Sequence, residues 1–252
     1  MNGTAFTVVF RRTWGKIARR PRLLLLSLVQ PLLWMSFFGF LFQRVAAGEL
    51  PGELSYVEFL LPGLCAMTVL VGASQSGIGI IRDMQTGLWE RMLDAPASRG
   101  ALLGGKIAAD ATRLLGHALV VAALGVALGV RFDLDVTLLP ALGALLLFAI
   151  AYCALSCAIA LRTRNQESLS AFVHLANMPI FFTSTALVPL KKMPPWLETV
   201  ADHNPLTGVV EALRSAMFGL AFEASGALWI MLASAAVSPA LVALSLRGPV
   251  RR

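Results

Sequence analysis

Six stretches of the chain are long and apolar enough to cross a lipid bilayer, which takes a helix of about 20 residues. The chain is 57% hydrophobic and 14% charged, whereas soluble proteins carry roughly 25% charged residues. Sustained alternation of apolar and polar residues, the mark of a transmembrane barrel, is not seen. The sequence therefore predicts an all-α membrane protein with six transmembrane helices. The predicted spans are 23–43, 57–81, 107–129, 137–161, 169–190 and 226–246.

The distribution of positive charge predicts how these helices are oriented. With six spans, both termini and the connections 82–106 and 162–168 lie on one side of the membrane. That side carries most of the 21 Lys and Arg residues of the chain. Because cytoplasmic segments are enriched in Lys and Arg, we expect both termini to be cytoplasmic. The Ala- and Leu-rich, Lys-poor composition points to a bacterium, so we expect the membrane to be a bacterial plasma membrane. The net charge of +7 would suggest nucleic-acid binding in a soluble protein. Here the placement of the basic residues on one side of the membrane accounts for it, and we expect no nucleic-acid partner.

Residues 4–20 have the pattern of an amphipathic helix. Phe6, Phe10 and Trp14 recur at helical spacing, and basic residues fill the opposite face. Such a helix lies in the membrane interface against anionic lipid. We expect it to anchor the chain and to pass motion into the first span.

The stretch GALLGGKI, residues 100–107, resembles a phosphate-binding loop but does not meet its requirements. That loop needs a Ser or Thr after Gly-Lys to bind magnesium, and it follows a buried strand. Here Ile107 takes that position, and a polar turn containing Pro96 precedes the glycines. The three His residues are scattered and the three Cys residues lie in apolar runs. We therefore expect no nucleotide, cofactor or metal site and no catalytic residues in this chain.

The loop 82–106 is long for a connection between spans, and long connections are usually structured or functional. Within it, TGLWERML (86–93) can form a short amphipathic helix, which Pro96 ends. A short helix on the cytoplasmic face is suited to docking with another protein. The alternative is a solvated connector.

This loop resembles the permease subunits of type-2 ATP-binding-cassette (ABC) exporters, in particular the daunorubicin-resistance-like and nodulation-factor-export-like permeases. In the family a Gly and a Glu begin the helix, and a Pro, a Ser-Arg pair and a Gly-Lys pair follow. The matching residues are Gly87, Glu90, Met92, Leu93, Pro96, Ser98, Arg99, Gly105 and Lys106. The resemblance implies that residues 86–94 form a coupling helix that contacts a separate ATPase. The residues we assign to that contact are Gly87, Leu88, Glu90, Arg91, Met92 and Leu93.

A second match to this family lies in the outer segment 191–225, where Pro-Trp, Asn-Pro-Leu-Thr and Glu-Ala-x-Arg occur in the family's order. The apolar stretches here are too short to span a membrane. The resemblance implies re-entrant helices that cap the outer end of a transport path. The matching residues are Pro194, Pro195, Trp196, Asn204, Pro205, Glu211 and Arg214.

The resemblance also implies the partners and the function. Two permeases, expected to be identical, would combine with two cytoplasmic ATPases, which hydrolyse ATP. The permease itself would be no enzyme, and it would move an amphipathic drug, lipid or lipid-linked glycan outward. The residues leave two alternatives open, an ion-gradient-driven secondary transporter and a membrane enzyme or structural protein. A secondary transporter predicts internal repeats and carboxylates at the membrane midplane, and the sequence shows neither.

Polar residues within the predicted spans are candidates for the path, because such residues usually face the protein interior. In the fifth span they recur at helical offsets, and hydrogen bonding between helices is the alternative role. These candidates are Ser170, His174, Asn177 and Ser184. In the third span, Asp110 and Arg113 are three residues apart, and we expect them to form an ion pair.

Overall fold

The computed structural model describes residues 2–18, 21–42, 50–51, 54–94, 96–132, 137–221, 229, 232, 233 and 236. In these parts of the chain the ordered elements are helices, so the prediction of an all-α protein is confirmed there. The α-helices are α1 Asn2–Ala18, α2 Pro21–Phe42, α3 Tyr56–Ser74, α4 Ser76–Gln85, α5 Leu88–Leu93, α6 Arg99–Ala127, α7 Leu138–Thr163, α8 Gln166–Phe182, α9 Pro195–Asp202 and α10 Pro205–Phe218.

Three stretches of helix within the described residues are long and apolar enough to cross a membrane. They are Tyr56–Gln85, which joins α3 and α4, together with Arg99–Ala127 and Leu138–Thr163. They overlap the predicted second, third and fourth spans. The first predicted span falls in α2, of which Leu28–Phe42 counts as a shorter apolar helix. The sixth, 226–246, falls almost wholly outside the described residues.

Capping residues define where the helices begin and end. Ser55 forms a capping box with Glu58 at the start of α3. Ser98 accepts a hydrogen bond from the Ala101 N–H at the start of α6, and Asn165 caps α8 in the same way. At the other end of α10, Gly219 adopts a left-handed conformation with φ 64°, which glycine adopts without strain. Each cap satisfies backbone groups that a helix end leaves unpaired.

The fifth predicted span was expected to reach residue 190, but α8 ends at Phe182. Both the backbone N–H and the hydroxyl of Ser184 donate to the Phe181 carbonyl, at 3.2 and 2.6 Å. Local hydrogen bonds of this kind compete with continuation of a helix. The chain then turns through residues 183–189, and Ser184, Thr185 and Ala186 are buried beneath the turn. The prediction was wrong here because apolar composition alone does not reveal this turn.

The third predicted span was expected to start at residue 107, but α6 begins eight residues earlier. GALLGGKI therefore lies inside a helix. At Gly105 the backbone of Phe6 in α1 approaches so closely that a Cβ atom would lie 2.6 Å from its carbonyl oxygen. Two turns further along α6, the indole N–H of Trp14 in α1 donates to the Thr112 hydroxyl at 3.1 Å. These contacts show that α1 packs along α6.

The motif residues of the segment 191–225 join α10 to the other helices. The side-chain carbonyl of Asn204 accepts from the Leu206 N–H at 2.9 Å, while its amide donates to the Ile180 carbonyl of α8 at 2.7 Å. Arg214 is 2% exposed and donates to the carbonyl oxygens of Phe59 and Thr185, at 3.1 and 2.8 Å. Its guanidinium carbon lies 3.8 Å from the centroid of the Phe59 ring. The guanidinium group also forms an ion pair with the Glu211 carboxylate. This part of the family motif thus joins α10 to α3 and to the turn after α8.

The Gly105 contact predicts opposite results for two glycines of the same motif. Gly105→Ala places a methyl group against the Phe6 backbone, and overpacking of this kind costs about 1–3 kcal/mol. Gly100→Ala meets open space, and alanine is the better helix former. In purified protein, the thermal unfolding midpoint should fall for Gly105→Ala and stay equal or rise for Gly100→Ala. Equal midpoints for both variants would contradict the packing of α1 on α6.

Candidate functional site

The helical stretch Tyr56–Gln85 is interrupted at Gln75, where α3 ends and α4 begins. In a regular helix the Gly77 N–H would bond to the Ala73 carbonyl. Here it donates to the hydroxyl of Ser156 in α7 at 3.0 Å, and that hydroxyl donates to the Ser74 carbonyl at 2.5 Å. One side chain therefore satisfies the backbone on both sides of the interruption. Insertion of a side chain into the helical hydrogen-bond ladder is a recognised cause of a kink.

The close approach of Ser156 requires a glycine at position 77. A Cβ atom there would collide with the backbone carbonyl of Ser156 and would lie 2.7 Å from its hydroxyl. Ser74 and Ser156 are both buried. The interruption is thus a tightly packed crossing of α3, α4 and α7.

A buried ionic cluster lies next to this crossing. The Asp110 carboxylate in α6 accepts from the Lys106 ammonium at 2.6 Å and from the Ser76 hydroxyl at 2.5 Å, both through Oδ2. The side chains of Lys106 and Asp110 are only 12% and 9% exposed. The expected pair between Asp110 and Arg113 is present but long, with 4.0 Å between Arg113 Nε and Asp110 Oδ1. The main partner of the carboxylate is therefore Lys106, which the sequence analysis did not assign to it.

Hydrogen bonds of Asn177 connect α8 to the same crossing of α3, α4 and α7. The Asn177 side-chain amide donates to the Ser74 hydroxyl at 2.8 Å, and its carbonyl accepts from the Tyr152 hydroxyl at 2.9 Å. Asn177 is buried. Its hydrogen bonds link α8 with α3 and α7, as expected for a buried polar group.

The four candidate path residues do not share one environment. Ser184 lies beyond the end of α8 and is buried, so the expectation of a single helical face does not hold there. Ser170 lies in an open groove with Gln85 and Glu167, at the end of α8 near α4. His174 is exposed, and it lines a cavity together with Asn177.

This cavity, of about 130 Å³, adjoins a second one of about 240 Å³. The two share the lining residues Gln30, Met67, Val71 and Gln75, so they are neighbouring parts of one region between α2, α3, α6 and α8. We call it the interhelical cleft. The smaller part is also lined by aromatic and apolar side chains of α2 and α8, and the larger part by Arg113 and His117 of α6.

The short helix α5 follows α4 through Gly87, which has a left-handed conformation with φ 66°. Trp89 is buried, with 6% exposure, and Met92 and Leu93 are half-buried against the core. Glu90 and Arg91 are exposed. Trp89 was missed in the sequence analysis, although it is the only aromatic residue of the loop 82–106.

The helix α1 contacts both α4 and α5 through Arg12. The Arg12 guanidinium donates to the Asp83 carboxylate of α4 at 3.4 Å and to the Met92 sulfur of α5 at 3.0 Å. Since α1 also packs along α6, it joins the C-terminal end of α4, the helix α5 and the first half of α6. The exposed charges Glu90 and Arg91 therefore belong to a helix that packs both against the core and against α1.

These features define a polytopic membrane protein with a polar cleft and a short surface helix between its second and third spans. Residues 4–218 match the family described as ABC-2 type transporter. The chain therefore belongs to the ABC-2 type transporter family.

Several curated relatives are transport permeases. The putative transport permease ycf38 of Cyanophora paradoxa is 32% identical over 208 residues, which cover 82% of this chain and 72% of that protein. Daunorubicin resistance ABC transporter permease protein DrrB1 of Streptomyces coeruleorubidus is 25% identical, with coverages of 77% and 68%. Nodulation protein J of Rhizobium leguminosarum bv. trifolii is 28% identical, with coverages of 84% and 80%. The resemblance seen in the sequence motifs is thereby confirmed.

The buried ion pair predicts strong energetic coupling between Lys106 and Asp110. Removing one partner leaves a buried charge uncompensated and costs about 3–5 kcal/mol. We expect Lys106→Met and Asp110→Leu each to lower the free energy of unfolding strongly. The double variant should lose less than the sum of the two, since no unpaired charge of the pair remains. Unfolding of the purified protein in mixed micelles measures all three values.

Arg162→Met is a matched control, because Arg162 is an exposed cation at the end of α7. It should change the free energy of unfolding by no more than about 0.5 kcal/mol. Additive losses in the double variant would show that the pair does not form.

Proposed function

We propose that the chain is the transmembrane permease subunit of an ABC exporter. It would be driven by a separate cytoplasmic ATPase and would move an amphipathic drug, lipid or lipid-linked glycan outward across the plasma membrane. The family membership and the drug-resistance and nodulation relatives support this class of function. The proposal treats the chain as one transmembrane domain with six spans, with both termini in the cytoplasm.

The observation that carries the proposal is the geometry of α5. Its inner side is anchored by Trp89, Met92 and Leu93, whereas Glu90 and Arg91 point away from the core. A helix held in this way can transmit a push without moving independently of the protein. We assign the ATPase contact to the surface formed by Leu88, Glu90 and Arg91, with Gly87, Met92 and Leu93 setting its orientation.

The connections of α5 suggest how the push would travel. A displacement of α5 reaches α4 directly through Gly87 and reaches α1 and α6 through Arg12. At its other end, α4 meets the interruption at Gln75, where the backbone is held by Ser156. An interruption of this kind in the helical hydrogen-bond ladder is a place where a span can bend. We assign to it the role of converting movement at the cytoplasmic face into a change of the interhelical cleft.

The cleft is the proposed entry to the transport path. His174 and Asn177 line it, and Ser170 lies in the open groove at the inner end of α8. Ser184 is assigned a structural role because it is buried in the turn after α8. At the outer end, α9 and α10 would form the re-entrant cap, with Pro194 and Pro195 at the start of α9 and Trp196 exposed.

A pair of permeases with two ATPases is the proposed assembly. The helices α2 and α8 expose several large apolar side chains, which a second copy or lipid would cover. These are Leu33, Phe37, Phe40, Phe172, Leu175, Met178 and Phe182.

The proposal predicts that α5 can be uncoupled without damage to the fold. Glu90→Ala and Arg91→Ala remove exposed charges, so the amount of protein inserted in the membrane should stay unchanged. Export should fall severalfold while the ATPase continues to hydrolyse ATP, because its contact with α5 is weakened. Parallel assays of ATP hydrolysis and substrate export in vesicles measure both quantities.

Arg131→Ala serves as the control, since Arg131 is an exposed Arg beyond the opposite end of α6. It should leave export and hydrolysis as in the wild type. Normal export by both α5 variants would overturn the assignment of the contact. Export that persists without any ATPase and stops when an ion gradient is collapsed would instead support a secondary transporter.

A further inference from the structure

The Asp, Glu, Lys and Arg side chains of the described spans do not balance in charge. In the three apolar helical stretches, away from the helix ends, they are Lys106, Asp110 and Arg113, all in the first half of α6. Lys106 and Ser76 engage one oxygen of the Asp110 carboxylate at short distance. Arg113 stands 4.0 Å from the other oxygen, at the limit of an ion pair. This buried cluster therefore carries one more positive than negative charge, which is costly away from water unless a counter-ion is present.

Arg113 lines the larger part of the interhelical cleft, and its side chain is 19% exposed. His117 lies one turn further along the same face of α6 and lines the same cavity. Its Nε2 atom is buried and has no hydrogen-bond partner among the described residues. Buried polar atoms are normally paired, so a ligand that draws this atom toward the cavity would satisfy it beside the Arg113 cation.

The remaining polar groups of the larger part complete a site for an anion. The amide side chains of Gln30 and Gln75 face it from α2 and from the interruption of the second span, and each can donate two hydrogen bonds. No carboxylate is among the described residues that line either part of the cleft. Arg is suited to phosphate and carboxylate because its planar guanidinium donates two parallel hydrogen bonds.

Apart from His174, Asn177 and the shared Gln30 and Gln75, the smaller part of the cleft is lined by apolar side chains. Trp34, Leu70 and Phe181 line it, and they lie beyond the shared residues Met67 and Val71. A ligand that fills both parts must therefore have an acidic end and an apolar end.

We propose that the interhelical cleft binds acidic amphiphiles, with a phosphate, sulfate or carboxylate group on Arg113 and His117 and an apolar chain against Trp34 and Phe181. The bound anion is then the counter-ion of the excess positive charge in α6. This inference rests on the proposed export function and narrows its substrate class. It disfavours cationic amphiphiles, which Arg113 repels.

Binding of radiolabelled lysophosphatidic acid to the purified permease in dodecyl maltoside micelles tests this directly. Lysophosphatidylcholine has the same apolar chain with a zwitterionic head, and dodecyltrimethylammonium is a cationic competitor. We expect lysophosphatidic acid to bind at least about tenfold more tightly than lysophosphatidylcholine, since one charge-assisted hydrogen bond accounts for that ratio. Dodecyltrimethylammonium should not displace it.

Variants locate the site. Arg113→Gln should remove the preference for the acidic head, His117→Phe should weaken it, and Arg113→Lys should retain part of it. Arg131→Gln removes one positive charge from an exposed position and should leave the preference intact. Gel filtration establishes that each variant is folded. If Arg113→Gln does not fold, Arg113→Lys and His117→Phe still test the proposal.

Equal affinity for the two lysolipids, or a preference that survives in Arg113→Gln, would overturn the proposal. Displacement by inorganic phosphate alone would assign the site to a free anion and would also overturn it. Because no ATPase is present, this test is independent of the export function. A preference for the acidic head without ATP-driven export would contradict the proposed function but not this inference. ATP-driven export without the preference would contradict only this inference.

Discussion

The carboxylate of Asp110 is the group on which the central arrangement of helices depends. A buried carboxylate within a span is stable only when charges and hydrogen bonds surround it. Lys106 meets this requirement from the same helix, and Ser76 meets it from the start of α4. Because Ser76 must face α6, the helix break at Gln75 is held beside the charge cluster. The hydrogen bond from Ser76 to Asp110 therefore couples the position of the helix break to the position of the charge cluster.

Around this cluster the polar groups of four helices satisfy one another. Ser156 of α7 bridges the backbone of the break, and Asn177 of α8 reaches Ser74. The interhelical cleft opens at Gln75, so a change in the bend at this residue would change the cleft. The two sites that an exporter must couple, the surface helix α5 and the cleft, are thus joined through the short helix α4. This continuity is the physical basis of the proposed mechanism.

Much of the helical framework could be predicted from hydropathy, because a run of about 20 apolar residues has few structural solutions in a membrane. The ends of the helices could not, since they depend on single hydrogen bonds. Ser184 ends α8 through its own bonds to Phe181, and Ser98 starts α6 before the apolar run begins. The break at Gln75 was not predicted because its stabilising residue, Ser156, lies 79 positions from Gly77. The motif residues of α10 were predicted from the family pattern, but their bonds to Phe59 and Thr185 required the structure.

The most direct test of the account asks whether α5 touches an ATPase. The three native cysteines are buried, so Glu90→Cys introduces an exposed thiol on α5. With a thiol-reactive photo-crosslinker on this residue, the permease should form a covalent adduct with the cytoplasmic ATPase that copurifies with it. An Arg131→Cys variant labelled in the same way should form none. Equal adducts from both positions, or none from position 90 in a complex that hydrolyses ATP, would contradict the central claim.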